Sequence, residues 1–213
     1  MRLKNTVLIL SLALIVAACG KTTASEKSDP ASSETAVGKT SQTEAPSGPR
    51  VSREPALNAS PLGLEIGYAN LSGVKQKLGS MTSLSEAGTS EHTGGKIFSS
   101  DGQGLGVDGL SKFITVFDKS ETLVAVIMTM PKNVDSTYSK LSEKYKPVSK
   151  NVDEFMGYGS AKLEKGDSLI ILEAPHLSFA MDVVYATKEF MATSERNAAA
   201  AKAKKEQEQK DKL

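Results

Sequence analysis

Few side chains in this 213-residue chain are equipped for chemistry: a single cysteine, Cys19, and two histidines, His92 and His176. Cys19 closes an apolar run, Leu14-Ile-Val-Ala-Ala-Cys19-Gly20. There a thiol could be a buried bystander, an intermolecular disulfide partner, a nucleophile or an attachment point. One cysteine excludes an internal disulfide framework and a cysteine-cluster metal site. His92 sits in the polar stretch Ser90-Glu-His-Thr-Gly-Gly95, with Glu91 and Asp101 close in sequence, groups that could share a proton or a weakly held cation. They lack the spacing of a helical zinc-binding pair, so an exposed loop histidine is the plainer reading. His176 follows Pro175 between two expected strands, a turn or edge position. Glu91 with Asp101, and Glu164 with Glu173, are the carboxylate pairs that could do acid–base work, but nothing in the sequence places either across a cleft. No serine occupies a G-x-S-x-G elbow.

Gly104-Leu-Gly-Val-Asp-Gly109 satisfies the letters G-x-G-x-x-G. Dinucleotide binding by that motif needs a helix to start at the glycines and point its amides at the pyrophosphate. Here Lys112-Phe-Ile-Thr-Val-Phe117 follows, and its β-branched and aromatic residues predict a strand. The stretch reads as a glycine-rich loop between strands, and no cofactor is expected. Basic and acidic residues number 26 and 25. A near-neutral chain gives no footing for nucleic-acid binding, which needs a clustered basic surface.

The elements around these residues begin with a basic start (Arg2, Lys4), an apolar run from Val7 to Val16 and the small pair Ala17-Ala18. This is the layout of a secretory signal peptide, too short for a span of about 20 apolar residues. Val16-Ala17-Ala18-Cys19 resembles the lipobox of bacterial lipoproteins. The resemblance implies a diacylglycerol on the Cys19 thiol, cleavage between Ala18 and Cys19, and acylation of the freed amine. Gly20, where an aspartate would signal retention, resembles the pattern of lipoproteins sent to the Gram-negative outer membrane. Acylation uses up the sulfur, so nucleophile and disulfide roles fall away, and multiple chains are what firm anchoring requires.

Residues 1–18 are thus expected to be a signal peptide, and 19–60 an acylated cysteine with a disordered linker. The stretch from 20 to 60 is rich in Ser, Thr, Ala, Pro and charge, too poor in apolar surface to offset ordering. Two glycosylation-type sequons, Asn58-Ala-Ser60 and Asn70-Leu-Ser72, read as chance matches in a bacterial chain.

Residues 61–190 are expected to form an α+β domain. Leu71, Val74 and Leu78 fall at helical spacing, with Gly79 at the helix end. Short strands are predicted near 81–87 and 96–99. Stronger ones are predicted over Phe113–Phe117 and Leu123–Met130, joined by the turn Asp118-Lys-Ser-Glu-Thr122. Val134, Tyr138, Leu141 and Tyr145 mark a second helix, stopped by Pro147. Strands follow over 159–164, 168–173 and 177–186. In the last, Leu177, Phe179, Met181, Val183 and Tyr185 share a side, which fits an antiparallel sheet covered on one face. The helix-then-strands order, stated twice, predicts two layers and a tandem repeat. The helix ending Val-Lys-Gln-Lys-Leu-Gly79, with Gly67 before it, resembles the opening of outer-membrane lipoproteins of the SmpA/OmlA type and of β-lactamase-inhibitor-like domains. Pro61-Leu-Gly-Leu-Glu-Ile-Gly67 with Ala174-Pro-His-Leu-Ser-Phe179 resembles proteobacterial lipoproteins of no assigned activity. Residues 191–213, alanine- and lysine-rich without an apolar face, predict a solvated helical or disordered tail.

These features together predict a lipid-anchored protein of the outer membrane, its domain in the periplasm, that binds an envelope protein without catalysis. The alternative is a ligand or cell-wall-fragment binder with a pocket lined by Phe113, Phe179 or Tyr185. A hydrolase-type enzyme built on His92 is the third.

Overall fold

The computed structural model describes residues 48–153 and 155–210. The lipobox, with Ala18 and Cys19, and the first part of the linker lie outside the described residues. Two helices, each followed by a four-stranded meander, account for most of the domain. The first half is α1 (Leu71–Leu78), β1 (Ser85–Thr89), β2 (Gly94–Ser100), β3 (Lys112–Asp118) and β4 (Leu123–Pro131). The second is α2 (Val134–Ser142), β5 (Lys146–Val152), β6 (Gly159–Lys165), β7 (Ser168–Ala174) and β8 (Ala180–Thr187), after which α3 runs over Lys188–Lys210. The strands form one sheet in the order β1-β2-β3-β4-β8-β7-β6-β5, with each strand antiparallel to its neighbours. The two meanders are therefore joined by their last strands. A half-turn about an axis between β4 and β8 exchanges their order, so the expected α+β tandem exists in the topology.

Both helices cover the same face. Leu71, Val74 and Leu78 of α1, with Val134, Tyr138 and Leu141 of α2, pack on Phe98, Phe113, Phe117, Val126, Leu163, Ile170, Leu172, Met181 and Val183. Each helix starts on an asparagine whose side-chain oxygen accepts an amide of the first turn: Asn70 from Gly73 N at 3.0 Å, Asn133 from Ser136 N at 3.3 Å. Such caps satisfy a donor that the helix itself leaves unpaired. Alternation then sends Ile97, Ile114, Val116, Ala125, Ile127, Leu169, Ile171, Val184 and Ala186 to the opposite face.

That second face corrects the expectation of a sheet covered on one side. The helix α3 begins three residues before the predicted tail, and Phe190 and Met191 pack on the outer apolar residues. Met191 and Ser194 are buried, so the tail is solvated only beyond its first turns. Among the described residues no helix is long and apolar enough to cross a membrane.

The linker expectation also needs correction at its end. Residues 48–60 are strapped to the domain through Glu65, which is fully buried. Its carboxylate accepts the amides of Arg53 at 2.8 Å, Leu57 at 3.0 Å and Asn58 at 3.2 Å, and faces the Arg53 guanidinium, whose Nε lies 3.1 and 3.2 Å from its two oxygens. Backbone bonds Glu65 N to Val51 O, Ile66 N to Ala59 O and Asn70 N to Arg50 O complete the strap. Polar bonding and the fully buried Ala59, rather than an apolar stripe, order this segment. Both sequon asparagines are committed to it: Asn58 donates to Ile66 O and accepts from Asp167 N, while Asn70 donates to Gly48 O.

Other boundaries moved for local reasons. The first strand starts at Ser85, and α2 ends at Ser142, ahead of the expected stop at Pro147, which lies within β5. Proline is tolerated there because β5 is an edge strand whose register shifts between Pro147 and Ser149.

Candidate functional site

The strand directions sort all loops to two ends of the sheet. At one end are the β1–β2 turn with His92, the Asp118–Thr122 turn, the β6–β7 turn and the start of α3. The described chain also enters there, since Asn70, which holds Gly48 O and Arg50 N, bridges Thr122. At the other end are the Gly-rich 101–111 loop, the β4–α2 connection, and the β5–β6 and β7–β8 hairpin tips.

This sorting takes apart the expected constellations. His92 and His176 lie at opposite ends. The His92 Nδ1 is 3.0 Å from Asn197 Nδ2 and its ring meets the edge of Phe190, so it serves as a seat for α3. Glu91 precedes β2 and Asp101 follows it, with Asp101 Oδ1 occupied by Gln103 N at 3.0 Å. Glu164 pairs across to Leu169, four register rows from the Glu173–Asp182 row, so Glu164 and Glu173 share no cleft. Glu164 instead sits between Lys146 (3.1 Å) and Lys188 (3.6 Å), whose charges hold its carboxyl below the ordinary range. With Lys144, Lys165 and Gly166 they line an open depression of about 350 Å³. Among the described residues no three His, Cys, Asp or Glu are grouped to hold a metal.

Gly104–Gly109 lies, as expected, in a loop that leads into the strand β3. Gly104 has φ 83°, and a Cβ there would collide with Met81 O, so the glycine answers a close backbone approach. Phe113, Phe179 and Tyr185, any of which could line the pocket of the alternative ligand-binding reading, fall in different settings. Phe113 and Tyr185 are core residues, whereas Phe179 stands in solvent.

Phe179 points to what sequence reasoning missed. β8 starts only at Ala180; Leu177 and Phe179 belong to the turn before it, and Leu177 adopts φ 62°. Exposure is 86% at Leu177 and 95% at Phe179, and in the neighbouring β5–β6 tip it is 98% at Phe155 and 55% at Met156. Four large apolar side chains thus stand out from two adjacent hairpin tips, the kind of exposed patch that marks an interaction site.

The tips are built to hold that shape. Asp153 Oδ1 accepts the amides of Phe155 (3.0 Å) and Met156 (2.7 Å), and Gly157 N closes the turn on Asp153 O at 2.9 Å. In the second tip Ser178 Oγ donates to Ala180 O and accepts from Ala180 N, while Phe179 O takes Lys132 N at 2.8 Å. Tyr158 and His176 meet edge to face, 4.8 Å between ring centres, and tie one hairpin to the other. A leucine held in the left-handed region costs conformational energy that tends to persist at functional sites.

Just below the tips, on the outer face, Glu173 stands directly opposite Asp182. Burial, and then the Asp182 charge, push the Glu173 carboxyl above its ordinary value. Thr129 Oγ1 donates to Asp182 Oδ1 at 2.6 Å. No protein-family model, curated protein or solved structure matches this chain.

Proposed function

We propose that this chain is a lipid-anchored protein of the bacterial envelope whose domain binds another protein without catalysing a reaction. The anchor rests on the lipobox pattern Val16-Ala17-Ala18-Cys19, with Cys19 as the acylated residue and the outer membrane, facing the periplasm, as the address. The observation that carries the binding role is the pair of hairpin tips with Phe155, Met156, Leu177 and Phe179 held out in water. Phenylalanine and methionine are enriched at protein interfaces, and loops on a sheet scaffold are where binding residues concentrate.

Photo-crosslinking in growing cells tests the reading. A benzoylphenylalanine at position 155 or 179 is expected to give a discrete protein adduct. The same group at Lys119, an exposed turn residue at the other end of the sheet, is expected to give none. Equal adducts at all three positions, or adducts to lipid alone, would end the proposal. Metabolic labelling with a palmitate analogue tests the anchor: label in the wild type and none in Cys19→Ser is expected, and an unlabelled wild type refutes it.

A further inference from the structure

We infer that the segment received by the two tips is a basic amphipathic helix, laid across both hairpins with apolar side chains two turns apart. The inference rests on the protein-docking reading above and deepens it.

Spacing comes first. The β5–β6 and β7–β8 hairpins are neighbours in the sheet, so their centres lie two strand spacings apart, about 10 Å. Along an α-helix, positions i and i+7 share a face and are also about 10 Å apart. One apolar side chain of such a helix meets Phe155 and Met156 while the next meets Leu177 and Phe179. The Tyr158–His176 contact ties the two tips together, and Asp153 caps the first.

Charge gives the sign. Asp153 lies in one tip, and Glu173 and Asp182 face each other beneath the other. Like charges directly opposite on neighbouring strands destabilise a sheet, yet the fold places them at the foot of the apolar patch. The nearest cation in register is Lys162, on β6 one same-face step from the Ser160 that opposes Glu173, followed by Lys112, two strands from Asp182 in the same row; Lys150 pairs with Asp135, and Lys132 lies in the β4–α2 connection. An approaching helix with Lys or Arg beside its apolar stripe is attracted, and an acidic one is repelled.

Two other occupants fit less well. Strand addition needs an open edge, but β5 carries Lys146, Pro147 and Lys150, and β1 has a bulge between Glu86 and Gly88, devices that blunt edges. A bilayer surface rich in anionic lipid would be repelled by the same carboxylates.

The chain contains no tryptophan, so Phe179→Trp makes a unique reporter in the tip. The probes are an 18-residue Leu/Lys peptide with leucines at i, i+3, i+4 and i+7, its Leu/Glu twin, and zwitterionic vesicles. The Leu/Lys peptide is expected to shift the emission to the blue and to bind about ten-fold tighter than the twin at low salt. Raising the salt should narrow that gap, Glu173→Gln with Asp182→Asn should close it, and Phe155→Ser should weaken both peptides. Equal binding of the two peptides, no response to either, or a response to vesicles in their place overturns the inference. The crosslinking result stands independently of these titrations, so failure of the helix inference and failure of protein docking remain separate.

Discussion

Replacing Glu65 by glutamine removes one charge and almost no volume from the centre of the N-terminal strap. Burial alone would push this carboxyl up, but the Arg53 guanidinium and the amides of Arg53, Asn58 and Leu57 outweigh it and lower the pKa from 4.5 to about 2. A carboxyl bound that much more tightly in its ionised form stabilises the fold by about 3 kcal/mol at neutral pH. The sign follows from the lowered value. The stabilisation is complete above 4.5, the ordinary value, and is lost as pH falls towards 2. In Glu65→Gln the Arg53 guanidinium loses its counter-charge and an NH₂ group is turned on donors. At pH 7 the variant is therefore expected to be about 3–5 kcal/mol less stable, seen as a lowered urea midpoint by far-ultraviolet circular dichroism. At pH 2.5 the wild type has lost about 2.5 kcal/mol of the carboxylate's contribution, so the two proteins should lie close together. Other carboxylates titrate alike in both chains and cancel in the difference. A gap that stays constant between pH 7 and pH 2.5 would refute the reasoning, because the carboxylate charge would then not be what holds the strap.

Thr115 is fully buried in the helix-covered core, its Oγ1 without a hydrogen-bond partner. Thr115→Val keeps the shape and should raise stability by about 1 kcal/mol, read from the urea midpoint. Glu173→Gln should stabilise by up to about 1 kcal/mol at neutral pH by ending the opposition to Asp182. The raised Glu173 pKa makes its penalty vanish as pH falls, so that advantage should disappear in acid; an advantage unchanged by pH would count against the like-charge account. Leu177→Gly relieves the positive φ of 62° and should raise stability by about 1 kcal/mol, while weakening crosslinking from position 179. A destabilised Leu177→Gly would show that the leucine packs in the folded state.

Legibility in the sequence followed the source of each element's order. β3, β4, β6 and β7 carry apolar or alternating residues between turn formers, and α1 and α2 show helical spacing, so the α+β layers and the repeated order could be read directly. The strap 48–60 could not, because a buried carboxylate and short backbone bonds order it, and neither has a period. β5 was hidden because Lys146–Val152 is exposed along almost its whole length and contains a proline. At β8 the alternation of Met181, Val183 and Tyr185 runs backwards through Phe179 and Leu177 into the turn, so a period-two pattern drew two exposed residues into the core. The signal that marks them is the company they keep: Pro175 and Ser178 around Leu177, and Asp153 and Gly157 around Phe155 and Met156, are turn formers enclosing large apolar groups.

The internal two-fold of the sheet tells whether the fold itself demands those apolar tips. Exchanging the halves carries the β5–β6 tip onto the β1–β2 turn, and the β7–β8 tip onto the β3–β4 turn. The counterparts are polar: Ser90-Glu-His-Thr93 and Asp118-Lys-Ser-Glu-Thr122. Both are engaged by the chain itself, the first through His92 with Asn197 and Phe190 of α3, the second through Glu121 O with Leu71 N and Thr122 with Asn70. Equivalent hairpins thus close without any exposed phenylalanine or leucine, so hairpin closure does not require Phe155, Met156, Leu177 or Phe179. In the first half the hairpin ends receive helices of this chain, α1 and α3. In the second half the β7–β8 tip takes a backbone bond from Lys132 N to Phe179 O, but the large apolar side chains of both tips stay exposed, which is the arrangement expected if they receive a helix of another protein.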